Sequence, residues 1–97
     1  MSLEEAGGKL YISRACNTCH SIDGSVGVAP SFKGIFGNTE NLSDGSSLIV
    51  DENYIRNSIL NPQAQVVAGY APVMPTYQNV LSDRQIDALI AYIKSMK

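Results

Sequence analysis

The sequence of 97 residues lacks several features that would assign a protein to a broad class directly. No apolar run approaches the roughly 18 residues of a membrane span, and no signal-peptide pattern follows Met1. No run of like charges occurs and the net charge is only −2, which argues against nucleic acid or an anionic membrane as partner. No repeat or linker divides the chain, so we expect one small soluble domain spanning residues 1–97.

Histidine and cysteine are scarce, yet the single His and both Cys fall within RACNTCHSID, residues 14–23. A thioredoxin-like redox pair needs a preceding strand, whereas a helical pattern precedes Cys16. A structural zinc site needs four ligands, and only carboxylates remain besides these three residues. A disulfide between Cys16 and Cys19 would close a very short loop and leave His20 unexplained. Covalent haem uses all three residues, because both thiols add to haem vinyl groups and the adjacent imidazole lies under the iron. We favour covalent haem.

The remaining pattern predicts three helices. The first spans roughly Leu3 to Ala15, with acidic residues at its start and two glycines inside it. The second begins after Asp51 as N-cap and stops at Asn61-Pro62. The third begins at Ser82, which forms a capping box with Gln85, and carries one apolar stripe. That stripe consists of Ile86, Leu89, Ile90 and Ile93, with Leu81 placed to pack against Ile86. Asp44-Gly45 predicts a tight turn and a short β-hairpin near residues 39–50.

Residues 61–81, NPQAQVVAGYAPVMPTYQNVL, fit neither a helix nor a strand. A structureless segment of this length is unusual in a small domain unless it wraps around something. The segment is also apolar for an exposed loop. A buried group that is not protein would account for both properties.

A single histidine limits the second axial ligand of a haem iron to Met, Lys, water or nothing. Met1 and Met96 lie at the chain termini, whereas Met74 lies between Pro72 and Pro75 in the wrapping segment. A thioether is a weak ligand, so it binds iron well only if it is held in position at low entropic cost. The flanking prolines favour Met74.

At this point the chain resembles class I cytochrome c over nearly its whole length. The resemblance rests on CxxCH after a first helix, Ala29-Pro30, KGIFG at 33–37, a Met-bearing loop and a closing amphipathic helix. The phrases VDENYIRNSILNP and GYAPVMPTY are similar to a narrower group. That group is the cytochrome c domain fused to subunit II of caa(3)-type haem–copper oxygen reductases. The implied fold is all-α, with three main helices wrapped around one covalently bound haem c.

The resemblance implies thioether bonds at Cys16 and Cys19, with His20 as proximal and Met74 as distal iron ligand. Pro30 matches the proline whose carbonyl accepts a hydrogen bond from the proximal imidazole. The resemblance also implies that the first and last helices cross in contact, through residues listed here: Gly7 or Gly8 with Tyr11 on one side, and Leu89 and Tyr92 on the other.

One position departs from the mitochondrial pattern. Asn38 stands where mitochondrial members have an arginine near a haem propionate. The substitutes that this chain offers are Tyr54 and Arg56, and a solvated helix face is the simpler interpretation of Arg56.

Two filled axial positions leave no open site for a substrate, so the expected function is electron transfer and not catalysis. The narrower resemblance implies a domain of a longer, membrane-anchored subunit on the outer face of the cytoplasmic membrane. It would accept electrons from a respiratory donor and pass them to the copper centre of the oxidase. A free soluble shuttle cytochrome, a haem sensor or enzyme with a displaceable Met, and a zinc-binding structural domain are the alternatives.

Only seven Lys and Arg residues occur, and they are scattered along the chain. Lysine-rich steering of the kind used by mitochondrial shuttles is therefore not expected. We expect docking through a small apolar patch around the haem edge, made of Val26, Val28, Ala71, Pro72 and Val73.

Overall fold

The computed structural model describes residues 2–25, 27–70 and 74–96. Within these residues, three α-helices and one two-stranded sheet form in the order α1, β1, β2, α2 and α3. Their bounds are Leu3–Ser13 for α1, Thr39–Asn41 for β1, Ser47–Ile49 for β2, Glu52–Leu60 for α2 and Asp83–Ser95 for α3. None of the helices in the described residues is long and apolar enough to cross a membrane. The three predicted helices and the hairpin within 39–50 are confirmed.

Helix starts follow local capping chemistry. The Ser82 side chain accepts a hydrogen bond from the backbone of Gln85, whose own side chain accepts one from the Ser82 backbone. Asp51 caps α2 by accepting from the Tyr54 backbone at 2.8 Å. At α1 the same reciprocal box joins Ser2 and Glu5, a signal that we interpreted from the sequence only as favourable negative charge.

The end of α1 was predicted wrongly. The helix ends at Ser13 and not at Ala15, because Ala15 adopts a left-handed conformation with φ of 62°. That conformation costs a non-glycine residue about 1–2 kcal/mol. The cost is offset by two hydrogen bonds to the Ala15 carbonyl, from the Thr18 amide at 3.1 Å and from its hydroxyl at 2.7 Å. The turn places the cysteines on a separate 3₁₀ turn at Cys16–Thr18.

The hairpin is the two-stranded antiparallel sheet, with Glu40 opposite Leu48. Its tight turn includes Gly45 with φ of 91°, a conformation that favours glycine. The segment after α2 runs beside the hairpin. The Ser43 amide donates to the Val66 carbonyl at 2.7 Å, and the Ala68 amide donates to the Asn41 carbonyl at 2.8 Å. Part of the unassigned segment is therefore ordered by backbone hydrogen bonds to the hairpin.

The core lies between α3 and the elements around it. Ile86, Leu89, Ile90 and Ile93 of the predicted stripe are all buried, as is Leu81. Five more buried residues complete the core. They come from α1, the turn after the cysteine motif, the end of the hairpin and α2: Tyr11, Phe32, Val50, Ile55 and Ile59.

Helices α1 and α3 cross in close contact at Gly7. A Cβ placed on Gly7 would lie 2.0 Å from the carbonyl oxygen of Ala88 and 2.7 Å from Cβ of Tyr92. The rings of Tyr11 and Tyr92 pack beside this point with centroids 5.6 Å apart. The predicted crossing and its Tyr92 contact are present, and Ala88 is a further close neighbour of Gly7. Glycine is tolerated within the helix because the partner backbone occupies the space of a side chain.

Substituting Gly7 with Ala should destabilise the protein despite the better helix propensity of alanine. The gain in propensity is about 1 kcal/mol, whereas overpacking against backbone costs typically about 1–3 kcal/mol and more when the backbone must move. We expect a net loss of up to about 2 kcal/mol in the free energy of unfolding, and more if the backbone must move. Denaturant titration of the haem-loaded protein measures it.

Gly8→Ala is the matched control, since its Cβ would meet only the edge of the Tyr92 ring at 3.2 Å. A side chain can shift where a backbone carbonyl cannot, so this variant should be close to the parent in stability. Equal losses in the two variants would contradict the assigned contact.

Candidate functional site

An apolar cavity lies between the helices, the hairpin and the Met-bearing segment. The positions open to the centre of a water molecule within it amount to about 260 Å³. A single water needs only about 10–15 Å³ on this measure. The cavity can therefore hold a group many times larger than a water molecule. Cys16, Cys19, His20, Pro30 and Met74, the five residues predicted from the sequence, all line it.

The cysteines reach the cavity from the 3₁₀ turn. The amides of Cys19 and His20 both donate to the Cys16 carbonyl, at 3.2 and 2.9 Å. These two hydrogen bonds hold Cys16, Cys19 and His20 within a single turn of the chain. The thiols are not joined in a disulfide. Burial raises the pKa of the Cys16 thiol, although backbone hydrogen bonding opposes the rise.

The residues around the motif disfavour the zinc alternative. A structural zinc site needs four protein ligands, and the motif itself supplies three. Within residues 2–25, 27–70 and 74–96, no group of three or more His, Cys, Asp or Glu side chains could hold a metal ion. The motif does not form a closed metal site made of protein side chains alone.

His20 is held by contacts on three sides. Its Nδ1 lies 2.7 Å from the Pro30 carbonyl oxygen, and its ring stacks on Phe32 with centroids 4.3 Å apart. The Tyr11 hydroxyl donates to the His20 carbonyl. Burial lowers the pKa of His20, and the hydrogen bond to Pro30 opposes that effect. A carbonyl can only accept, so Nδ1 carries the proton and the lone pair of the neutral ring lies on Nε2. That nitrogen is the one suited to an iron ligand.

Met74 lies on the cavity wall and is half-buried. The chain just after it is anchored at three points. The Tyr77 hydroxyl donates to the Arg14 carbonyl at 2.7 Å, the Tyr77 amide donates to the Ile59 carbonyl at 3.1 Å, and the Thr76 hydroxyl donates to the Leu60 carbonyl at 2.6 Å. Sequence reasoning relied on the flanking prolines and missed these anchors. Pro72 itself lies outside the described residues.

The substitutes suggested for the missing propionate arginine differ in position. Tyr54 lines the cavity, whereas Arg56 forms ion pairs with Asp83 and Asp87 of α3. Asn38 donates a hydrogen bond to the Gly34 carbonyl and is not among the residues lining the cavity. Of the three, only Tyr54 is available to a group inside the cavity.

Comparison with known proteins identifies the family. The cytochrome c family model matches residues 4–97. The chain belongs to the cytochrome c family. A search of curated proteins found no match. Members of this family are electron-transfer modules that carry covalently bound haem c, and the motif at Cys16 and Cys19 agrees with that cofactor.

The chemistry of the cavity fits a haem. Its wall is predominantly apolar, as a porphyrin requires, and it brings two thiols, one neutral imidazole and one thioether together. A buried hydroxyl oxygen, Ser58 Oγ, also lines the cavity and makes no hydrogen bond with the described residues. Such an atom is expected where a bound group brings polar atoms of its own.

Denaturing extraction in acidic solvent should leave the haem on the polypeptide, because thioether bonds survive unfolding. The double variant Cys16→Ala, Cys19→Ala should release it, whereas each single variant retains one bond. The measurement is haem absorbance in the protein fraction after extraction. Haem that stays with the double variant would contradict attachment at these two residues.

Proposed function

We propose that this cytochrome c carries single electrons through a haem bound by Cys16 and Cys19, with His20 and Met74 as axial ligands. When bound, haem supplies a one-electron change between ferric and ferrous iron. The observation that supports this assignment is that one cavity brings the four side chains together. The Pro30 carbonyl would fix the orientation of the proximal ring and raise its basicity.

The residues around the ligands favour a change of oxidation state without a change of geometry. His20 is held by Pro30 and Phe32, and the chain beside Met74 is held by Tyr77. A thioether and apolar burial favour the ferrous state and raise the reduction potential. His20 and Met74 would together hold the iron and leave no site for oxygen or peroxide, which would separate a carrier from a haem enzyme or gas sensor.

We also propose that the domain belongs to subunit II of a haem–copper oxygen reductase and passes electrons to its copper centre. This proposal is supported by the likeness of VDENYIRNSILNP and GYAPVMPTY to that group. The domain would then work on the outer face of the cytoplasmic membrane and be anchored there by the rest of the subunit. A reading frame that encodes a copper-binding domain upstream of residue 1 would support this assignment.

The charge around the cavity mouth supports a tethered partner over long-range capture. The residues that both line the cavity and are exposed are uncharged: Ala15, Thr18, Val28 and Pro75. Val28 has 55% of its surface exposed, and it belongs to the predicted docking patch. The other members of that patch, Val26 and residues 71–73, lie outside the described residues. A tethered domain needs no charge steering, because a short linker supplies an effective concentration on the order of mM.

Replacing Met74 with Ala should open the second axial position of the iron. We expect loss of the far-red Met–iron charge-transfer band, a lower reduction potential and binding of carbon monoxide, all followed by absorption spectroscopy. Met96→Ala is the control, because Met96 lies at the end of α3 and is absent from the cavity wall. If the two variants gave the same spectra, Met74 would not be the ligand.

Electron transfer to the oxidase should depend weakly on ionic strength. Steered association gains 10–10³-fold in rate and loses it in salt, whereas an uncharged patch should change the rate by less than about threefold. Stopped-flow oxidation of the reduced domain by the oxidase at low and high salt measures this. A rate that collapses with salt would favour the free shuttle cytochrome instead.

A further inference from the structure

A short polar strip interrupts the apolar wall of the haem cavity. It consists of Glu40 at the middle of β1 and of Tyr54 and Ser58, which lie one turn apart on the same face of α2. Among the described residues that line the cavity, Glu40 is the only carboxylate, and none is Lys or Arg. The function described above leaves this acid without a role.

The surroundings of Glu40 leave its charge uncompensated. Its side chain is half-buried and makes no ion pair with any described residue. Leu48, an apolar residue, is paired with it across the sheet. Burial alone raises the pKa of Glu40, with no basic group to oppose the effect. This acid is therefore more easily protonated than an exposed glutamate.

Tyr54 is the titratable neighbour of Glu40 on the cavity wall. Burial raises the pKa of Tyr54 most, the Glu40 charge raises it further, and the Ser58 hydroxyl lowers it. Ser58 Oγ makes no hydrogen bond with the described residues, so Ser58 is a neighbour of Tyr54 and not its hydrogen-bond partner. The Glu40 charge thus acts across the gap between the hairpin and α2, inside a wall where screening by water is weak.

The other titratable groups of the cavity do not compete with Glu40 in the acidic range. From α2 the group facing it is Tyr54, and from β2 it faces the apolar Leu48. The remaining titratable residues of the wall are two thiols, the proposed axial histidine and two further phenols: Cys16, Cys19, His20, Tyr70 and Tyr77. When haem is bound, both thiols would be used in thioether bonds and the imidazole would be used as an iron ligand. None of the five residues is a carboxylate. The carboxylates of the haem itself are the one other source of an acidic titration.

We propose that Glu40 is a redox-linked proton-binding site of this cytochrome. The step takes ferric haem, the Glu40 carboxylate, one electron from the donor and one proton from water, and it gives ferrous haem and neutral Glu40. Oxidation returns the electron to the acceptor and the proton to water. Reduction removes one positive charge from the cavity, so it leaves the carboxylate less stabilised and favours its protonation. The proposal rests on haem in the cavity and not on the identity of the oxidase.

The test is the midpoint potential of the haem-loaded protein between pH 4 and pH 8. The potential should fall as pH rises through the window between the Glu40 pKa values of the oxidised and reduced protein, and be flat outside it. Within the window the redox equilibrium should shift by at most tenfold per pH unit, about 59 mV for one electron. Glu40→Gln, which keeps the size of the side chain, should flatten the curve. Glu40→Asp should restore a slope.

Glu4→Gln is the matched control, because Glu4 is exposed on the first turn of α1, away from the cavity wall. A reduced-minus-oxidised infrared spectrum should show a protonated carboxyl band that Glu40→Gln removes and Glu4→Gln retains. A slope unchanged in Glu40→Gln would assign the proton to the haem carboxylates and overturn the proposal. A flat curve in the parent protein would do the same. The far-red Met–iron band and reversible reduction report separately on electron transfer, so the two proposals fail distinguishably.

Discussion

The close crossing of α1 and α3 is the contact on which the rest of the structure depends. The two helices lie at opposite ends of the chain, and Gly7 lets α1 approach the Ala88 carbonyl closely. The chain between them, from the cysteine motif to the Met-bearing segment, therefore begins and ends at this pair of helices. The excursion encloses a cavity larger than its own side chains fill. A chain of 97 residues can sustain that arrangement because the cofactor supplies part of the core.

Charge is distributed in a way that suits this interior. Residues 57–82, which form the end of α2 and the whole Met-bearing segment, contain no Asp, Glu, Lys, Arg or His. The ion pairs lie between α2 and α3 instead, where Arg56 meets Asp83 and Asp87 and Lys94 meets Glu52. Among the described cavity-lining residues, the only carboxylate is Glu40 on the hairpin.

Local signals were sufficient to predict much of the fold. The capping box at Ser82 and the apolar stripe after it are complete within thirteen residues, and α3 forms where they predict it. The end of α1 was not predictable in this way, because the left-handed conformation of Ala15 depends on two hydrogen bonds from Thr18. The helix crossing was predicted, but the close approach of Gly7 to the Ala88 carbonyl was not, because it depends on how the two helices are rotated about their axes.

The site shows the same division between local and distant causes. The spacing of Cys16, Cys19 and His20 indicates haem because the chemistry needs those residues within one turn. The anchoring of the Met-bearing segment depends on Tyr77, whose partner Arg14 lies 63 residues away in the chain. The residues next to Tyr77 in the sequence do not predict its contact with Arg14. Arg56 similarly has a sequence position that suits a propionate, and only the placement of α3 shows that its guanidinium is already paired.

The hydrogen bond between Tyr77 and Arg14 also bears on the order in which parts of the protein fold. The side of the cavity that holds His20 is built from contacts within the first third of the chain: Tyr11 with His20, His20 with Pro30, and His20 with Phe32. The opposite closure, Tyr77 to Arg14, requires a loop more than six times longer than that between Tyr11 and His20. Short loops close at lower entropic cost and sooner than long ones. We therefore expect the contacts around the cysteines and His20 to form before the Met-bearing segment closes the opposite side of the cavity.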